Sequence, residues 1–239
     1  MDADALGHHT SSRFDAELEK LRGNVMQMGG LVERQLQRAL AGFLETDFNQ
    51  LVAVVRDEQL VNELERAIDE DCGRILATRS PAASDLRLLI AILKANADLE
   101  RIGDEAEKIA AIGARRTGRD LPQDFFHDLR HMGGLVQSMV HDALDASARM
   151  DAQQALEVIR RDRQIDEEYD LLQRQSVARM SEDPRGIRRT LDVMWAVRAL
   201  ERVGDHAKNI CEHVIYAVHG KDVRHTPVDS VAGVLRPRV

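Results

Sequence analysis

A chain of 239 residues can bury a core of its own without disulfides or a structural metal. Aromatic residues make up only 3%, and 5 Pro and 15 Gly are scattered among abundant Ala, Leu, Glu, Asp and Arg, a composition that favours helices over sheets. The formal charge of −8 is spread along the chain with no basic face, so nucleic acid is not an expected partner. Cys72 and Cys211 lie far apart inside helical patterns, which argues against a disulfide framework or a thiolate metal site and fits a reducing cytoplasm. The N-terminus has no basic run followed by an apolar one, and no window approaches 18 uncharged apolar residues. Neither secretion nor direct membrane insertion is expected.

In chain order, residues 1–11 read as a flexible leader. A first amphipathic helix spans about 12–45, with Leu18, Leu21, Val25, Met28, Val32, Leu36 and Leu40 at steps of three and four. A second spans about 47–78 on Leu51, Val54, Val61, Leu64 and Ile68. Pro81 interrupts, and a third runs from about 83 to 115 on Leu89, Leu93, Leu99, Ile102 and Ile109. The polar segment RRTGRDLP marks a domain boundary, placed between residues 117 and 118. The pattern then restarts with helices over about 123–149, 151–181 and 187–219, the last two separated by SEDPRG. Residues 220–239 lose periodicity and are expected as an irregular tail.

The second half repeats the first. MGGLV at Met28 returns 104 residues later at Met132, and LERIGDEAEKI at Leu99 returns 101 residues later as LERVGDHAKNI at Leu200. So long a period with one small deletion indicates duplication of a three-helix unit rather than a solenoid. The expected fold is therefore all-α, with two homologous antiparallel three-helix bundles in tandem, residues 12–117 and 118–219.

Each repeated phrase sets a glutamate four residues before an aspartate: Glu100 with Asp104, and Glu201 with Asp205. At 100° per residue each pair shares a stripe opposite the apolar positions. Like charges at this spacing cost a helix roughly 0.2–0.5 kcal/mol, so repeating them in both halves calls for a counter-charge. The preceding helices add Glu58, Asn62, Glu65 and Asp69 in the first half, and Asp162, Asp166 and Asp170 in the second. Packed side by side, such stripes form oxygen-rich grooves suited to Mg²⁺, Mn²⁺, iron or hydrated zinc.

These phrases, with SPAASDLRLL, FDAELEKLRGNVMQMGGLVE and EDPRGIRR, closely resemble the PhoU family of bacterial phosphate-uptake regulators over about residues 10–225. The resemblance implies two three-helix bundles whose E/DxxxD motifs bind metal ions. By position these motifs are Glu100 and Asp104, Glu201 and Asp205, and Asp162 and Asp166. Glu58 with Asn62 stands at the fourth place, where the neutral amide implies a weaker site. The resemblance further implies a negative regulator of phosphate uptake and of the phosphate regulon. It would be a cytoplasmic homodimeric adaptor, peripheral at the inner membrane, between the ATPase subunit of the phosphate ABC transporter and its sensor histidine kinase. The alternative is a metal-dependent enzyme or metal-storage bundle. No phosphate-gripping loop, nucleophile elbow or ExxH pair supports catalysis.

Among other residues, His127 and His131 are expected as a surface pair, while His206 and His213 are placed to contribute to the second acidic site. The glycines of MGGLV suggest close helix approach. Trp195 is expected in the core, with an interface anchor as the alternative.

Overall fold

The computed structural model describes residues 3–115 and 123–234. Six long helices form the body: α1 (Ala3–Glu45), α2 (Phe48–Arg79), α3 (Ala83–Arg115), α4 (Gln123–Arg149), α5 (Ala152–Glu182) and α6 (Ile187–His219). A single 3-10 turn, Pro184–Gly186, precedes α6, and a seven-residue helix α7 (Val228–Val234) follows it. The expected periodicities fall on these helices, and most of the apolar positions that defined them are buried, with Leu18, Leu64 and Leu93 half-buried at the edge of the core. Leu21, Met28, Val32, Leu36, Val61, Ile68, Leu99, Ile102 and Ile109 are all closed to solvent in the first half.

Two expectations at the chain ends change. Helix α1 begins at Ala3, so the stretch taken as a leader continues the first helix. The tail beyond Gly220 is not wholly irregular: Val223 and Val231 are buried, and α7 packs on α5. The expected domain boundary at 117/118 lies outside the described residues.

Helices α1, α2 and α3 pack on one another, as do α4, α5 and α6. The turns joining the first two helices of each half are the same device. Thr46 and Met150 take positive φ (57° and 52°), and the next residue, Asp47 or Asp151, caps the following helix. Asp47 Oδ1 accepts from the backbone N–H of Asn49 and Gln50, and Asp151 Oδ1 from those of Gln153 and Gln154. This satisfies donors that a helix N-terminus otherwise leaves without partners. Asp47→Ala and Asp151→Ala are each expected to cost about 1 kcal/mol, read as additive losses in a urea titration.

The two bundles meet along α3 and α6, the most extensive helix pair in the molecule, and along α1 and α4. At the second contact the MGGLV glycines face leucines of the opposite half. A Cβ at Gly29 would come within 2.6 Å of Leu144 Cδ2, and one at Gly133 within 3.0 Å of Leu40 Cδ1. Leu40 and Leu144 are themselves 104 residues apart, so the contact is reciprocal about a pseudo-two-fold axis. The glycines weaken their own helices but let the opposing leucine seat against bare backbone.

Candidate functional site

The glycine inside each repeated phrase brings the carboxylate-bearing helices together. A Cβ at Gly103 would stand 2.9 Å from Glu58 Oε2, and one at Gly204 would stand 3.1 Å from Ile165 Cδ1. Helix α2 therefore lies close against α3 and α5 against α6, with their acidic stripes facing.

In the first half Glu58 is buried, while Asn62, Glu65, Glu100 and Asp104 are half-buried along the same seam. Burial pushes the Glu58 carboxyl above its ordinary range, and Asp104, Glu107 and Glu100 add repulsion that the Gln35 hydrogen bond only partly offsets. Glu65 is raised by burial and by Asp69 and Asp104; Glu100 is raised by burial and by Asp104 and Glu65. Two amides missed in the sequence support this stripe. Gln35 of α1, wholly buried, donates through Nε2 to Glu58 Oε2 at 2.9 Å. Asn96 of α3 donates to Asp69 Oδ1 at 2.9 Å and to the Glu65 carbonyl at 3.0 Å. Polar residues set within apolar periodicity were the available signal for both. Asn62 shares the stripe, and its backbone carbonyl accepts from Arg66 Nε at 3.2 Å.

The second half repeats the seam with a different charge balance. Asp162 is buried, Glu201 is half-buried, and Asp166 and Asp205 lie towards the rim. Burial raises all three of Asp166, Glu201 and Asp205, reinforced by Asp162 and Asp205 at Asp166, by Asp205 at Glu201 and by Asp162 at Asp205. Here, however, Lys208 Nζ donates to Asp162 Oδ2 at 2.5 Å. The corresponding residue of the first phrase is Glu107. The first seam thus lacks one carboxylate at Asn62, and the second carries its own cation at Lys208. The sequence-based expectation considered only the former.

Three of the remaining sequence candidates take other roles. His206 Nδ1 and His213 Nε2 lie 2.9 and 3.0 Å from the two carboxylate oxygens of Asp98 on α3, joined by Asn209 Nδ2 at 3.0 Å from Oδ1. These residues tie α6 to α3 rather than joining the second seam. Burial alone would raise Asp98, but the bonds from His206, His213 and Asn209 outweigh it and hold its pKa at about 2. Arg202, within the second phrase, crosses the same interface to Glu105 at 2.6 Å. Trp195 is not in the core; it is 63% exposed. His127 and His131 are exposed as expected, with His131 Nε2 3.6 Å from Glu168. The Cys72 thiol is buried and pushed up to about 12, and Cys211 is likewise raised, so both are inert core residues.

Among the described residues no three His, Cys, Asp or Glu side chains converge in metal-binding geometry. The donor chemistry nevertheless suits a hard cation. Glu58 Oε1 and Glu201 Oε2, one in each seam, are buried carboxylate oxygens with no hydrogen-bond donor among the described residues.

A PhoU domain model matches residues 25–112 and 129–214, one match in each half. The chain belongs to the PhoU family. It is 50% identical over 225 residues to the phosphate-specific transport system accessory protein PhoU homolog of Pseudomonas putida, covering 94% of this chain and 88% of that one. It is 42% identical over 235 residues to the phosphate-specific transport system accessory protein PhoU of Escherichia coli, covering 98% and 97%. The crystal structure of PhoU from Pseudomonas aeruginosa superposes with a TM-score of 0.84 at 48% identity, covering 87% of this chain and 100% of that one. That of the phosphate transport system regulatory protein PhoU from Streptococcus pneumoniae gives 0.81 at 30% identity, covering 88% and 99%. As a PhoU-family chain it has the general PhoU role in phosphate regulation, which is regulatory and not catalytic. Each PhoU-domain match contains one complete seam. No helix among its described residues is long and apolar enough to cross a membrane.

Proposed function

We propose that this chain is a negative regulator of phosphate uptake and of the phosphate regulon. It acts as a cytoplasmic homodimeric adaptor between the ATPase subunit of a phosphate ABC transporter and a phosphate-sensing histidine kinase, reaching the inner membrane through these partners. The observation that carries the mechanism is the duplicated seam of facing carboxylates, whose proton affinities are raised and whose buried oxygens lack donors. In this reading Glu58, Glu65, Glu100 and Asp104 would hold a divalent or trivalent ion in the first half, with Asn62 as a neutral donor. Asp162, Asp166, Glu201 and Asp205 would do so in the second. Mg²⁺, Mn²⁺, Fe and Zn²⁺ all accept such donors, and a bound ion would supply positive charge to carboxylates that repel one another. Glu58 and Glu201 would supply the innermost oxygens, Gln35 holds the Glu58 carboxylate, and Lys208 pairs with Asp162.

The names of the similar proteins, accessory to phosphate-specific transport, support the placement beside a transporter. The test is a phosphate-starvation reporter in high phosphate, in a deletion strain complemented with wild type or with Glu100→Ala, Asp104→Ala, Glu201→Ala and Asp205→Ala combined. Wild type should restore repression and the folded variant should not. A reporter that stays silent in the deletion strain would overturn the regulatory reading.

A further inference from the structure

Bordering the second seam, α6 leaves one stripe uncovered by the other described residues. Ile187, Leu191 and Trp195, at successive steps of four, are 39%, 40% and 63% exposed, and the same line continues into Arg198 and Arg202. Single exposed apolar residues need no explanation, but three in register on one helix face, ending in the chain's sole tryptophan, form a patch.

Beside Trp195 the stripe opens into a groove of about 640 Å³ between α3 and α6. Its apolar floor includes Ile112 and Ala199, and its walls carry Lys108, Arg115, Arg198 and Arg202 against one carboxylate, Glu105. Glu105 is buried and orients two of those cations, with Arg202 Nε at 2.6 Å and Lys108 Nζ at 3.1 Å. Arg198 is held by Glu201 at 2.8 Å and lies 5.6 Å over the Tyr169 ring. Three of the four cations are thus held by carboxylates, and the groove keeps an excess of positive charge on a chain whose net charge is −8.

We infer that this stripe and groove form a docking surface for an acidic amphipathic helix of a partner protein. Its apolar side chains would lie along Ile187, Leu191 and Trp195, and its carboxylates would meet Arg198, Arg202, Lys108 and Arg115. The arrangement matches the helix-in-groove mode, which takes anchors at i, i+4 and i+7, and tryptophan and arginine are the residues that most often carry interface energy. Charge complementarity selects this occupant over a second copy. A two-fold contact through the same stripe would bring a second set of the same cations and no further carboxylates to pair them. The inference adds a surface to the regulatory reading above and uses none of the seam carboxylates as contacts.

The probe is a fluorescently labelled 18-residue peptide with leucines at helical i, i+4 and i+8 and glutamates continuing the same face. Its anisotropy is followed against the full chain, with Trp195 emission as a second readout. Saturable binding is expected, accompanied by a blue shift of Trp195, weakened by salt and absent for the same peptide with Lys in place of Glu. Trp195→Ala and Arg115→Glu should each weaken it about tenfold or more, with unchanged helical content and melting temperature. No binding, equal binding of the basic peptide, or full retention in both variants would overturn the inference. So would displacement of the peptide by ATP with the same emission shift, which would mark a small-anion site. Loss of self-association in Trp195→Ala would also overturn it, by assigning the face to a second copy. The reporter experiment reads the regulatory role separately, so failure of either is distinguishable.

Discussion

Glu65→Gln with Glu100→Gln is expected to stabilise the metal-free protein and to remove the first seam's share of its response to added Mn²⁺. Both carboxyls are raised by burial and by neighbouring acids, and neither forms a salt bridge among the described residues. Neutralising them removes repulsion without breaking an ion pair. Like-charge helix pairs cost roughly 0.2–0.5 kcal/mol each, so the gain is about 1 kcal/mol, or ~2–4 °C in melting temperature for a chain of this size. Wild type, by contrast, should gain about 2.7 kcal/mol for each seam filled when Mn²⁺ stands at a hundred times its dissociation constant. Lys208→Met should act in the opposite sense, because it leaves Asp162 buried without its cation: lower stability without metal, larger recovery with it. Differential scanning calorimetry with EDTA and then with Mn²⁺ reads both arms. An unchanged Mn²⁺ shift in the Gln double variant would remove these carboxylates from the ion site. The pH dependence carries the same sign. For groups whose folded pKa is raised, the cost is fully present above that folded value and vanishes below the unfolded one. The seams therefore favour folding as pH falls from neutrality into the carboxylate range.

Asp98 works in the other direction and has the larger effect. Its folded pKa is about 2 against an ordinary 3.8, so its contribution is fully present above 3.8 and lost as pH falls through about 2. That difference corresponds to about 2–3 kcal/mol. Asp98→Ala should cost about 3–5 kcal/mol at neutral pH, because it strands His206, His213 and Asn209 at a buried contact. Asp98→Asn should cost less and should flatten acid unfolding between about pH 2 and 4. These bonds cross from one bundle to the other, so the Ala variant is expected to melt over a broader range than wild type, as the halves lose cooperativity. A single sharp transition at an unchanged temperature would show that apolar packing alone couples α3 to α6.

The helices and their order were legible because each carries apolar residues at steps of three and four, and the doubling because MGGLV and LERxGD recur. The facing of the seams also followed from periodicity, since Glu58 and Glu100 lie opposite residues that had to be buried. What escaped were relations between the halves. His206, next to Asp205, and His213, two turns beyond it, are placed by sequence to contribute to the second acidic site, yet their partner Asp98 lies more than a hundred residues away on a helix of the other bundle. Within each half, the contacts of Gln35 with Glu58 on α2 and of Lys208 with Asp162 on α5 also escaped, and the second changes the charge balance of its seam. Trp195 was misplaced for a simpler reason. Its size favours burial, but it sits on the same face as Arg198 and Arg202, which the packing of α3 on α6 leaves open.

The exchange of Gly29 with Leu144 and of Gly133 with Leu40 means that each half carries both the socket and the plug. A half on its own presents a self-complementary face, so the union of the two halves is, in its geometry, a dimer whose subunits have been joined end to end. The covalent join freed the halves from having to remain identical. Asp98 could then be answered by two histidines on one side only, Lys208 could enter one seam and not the other, and a tryptophan could stand where the sister helix has Lys94. A symmetric ancestor would have had to present every such feature twice.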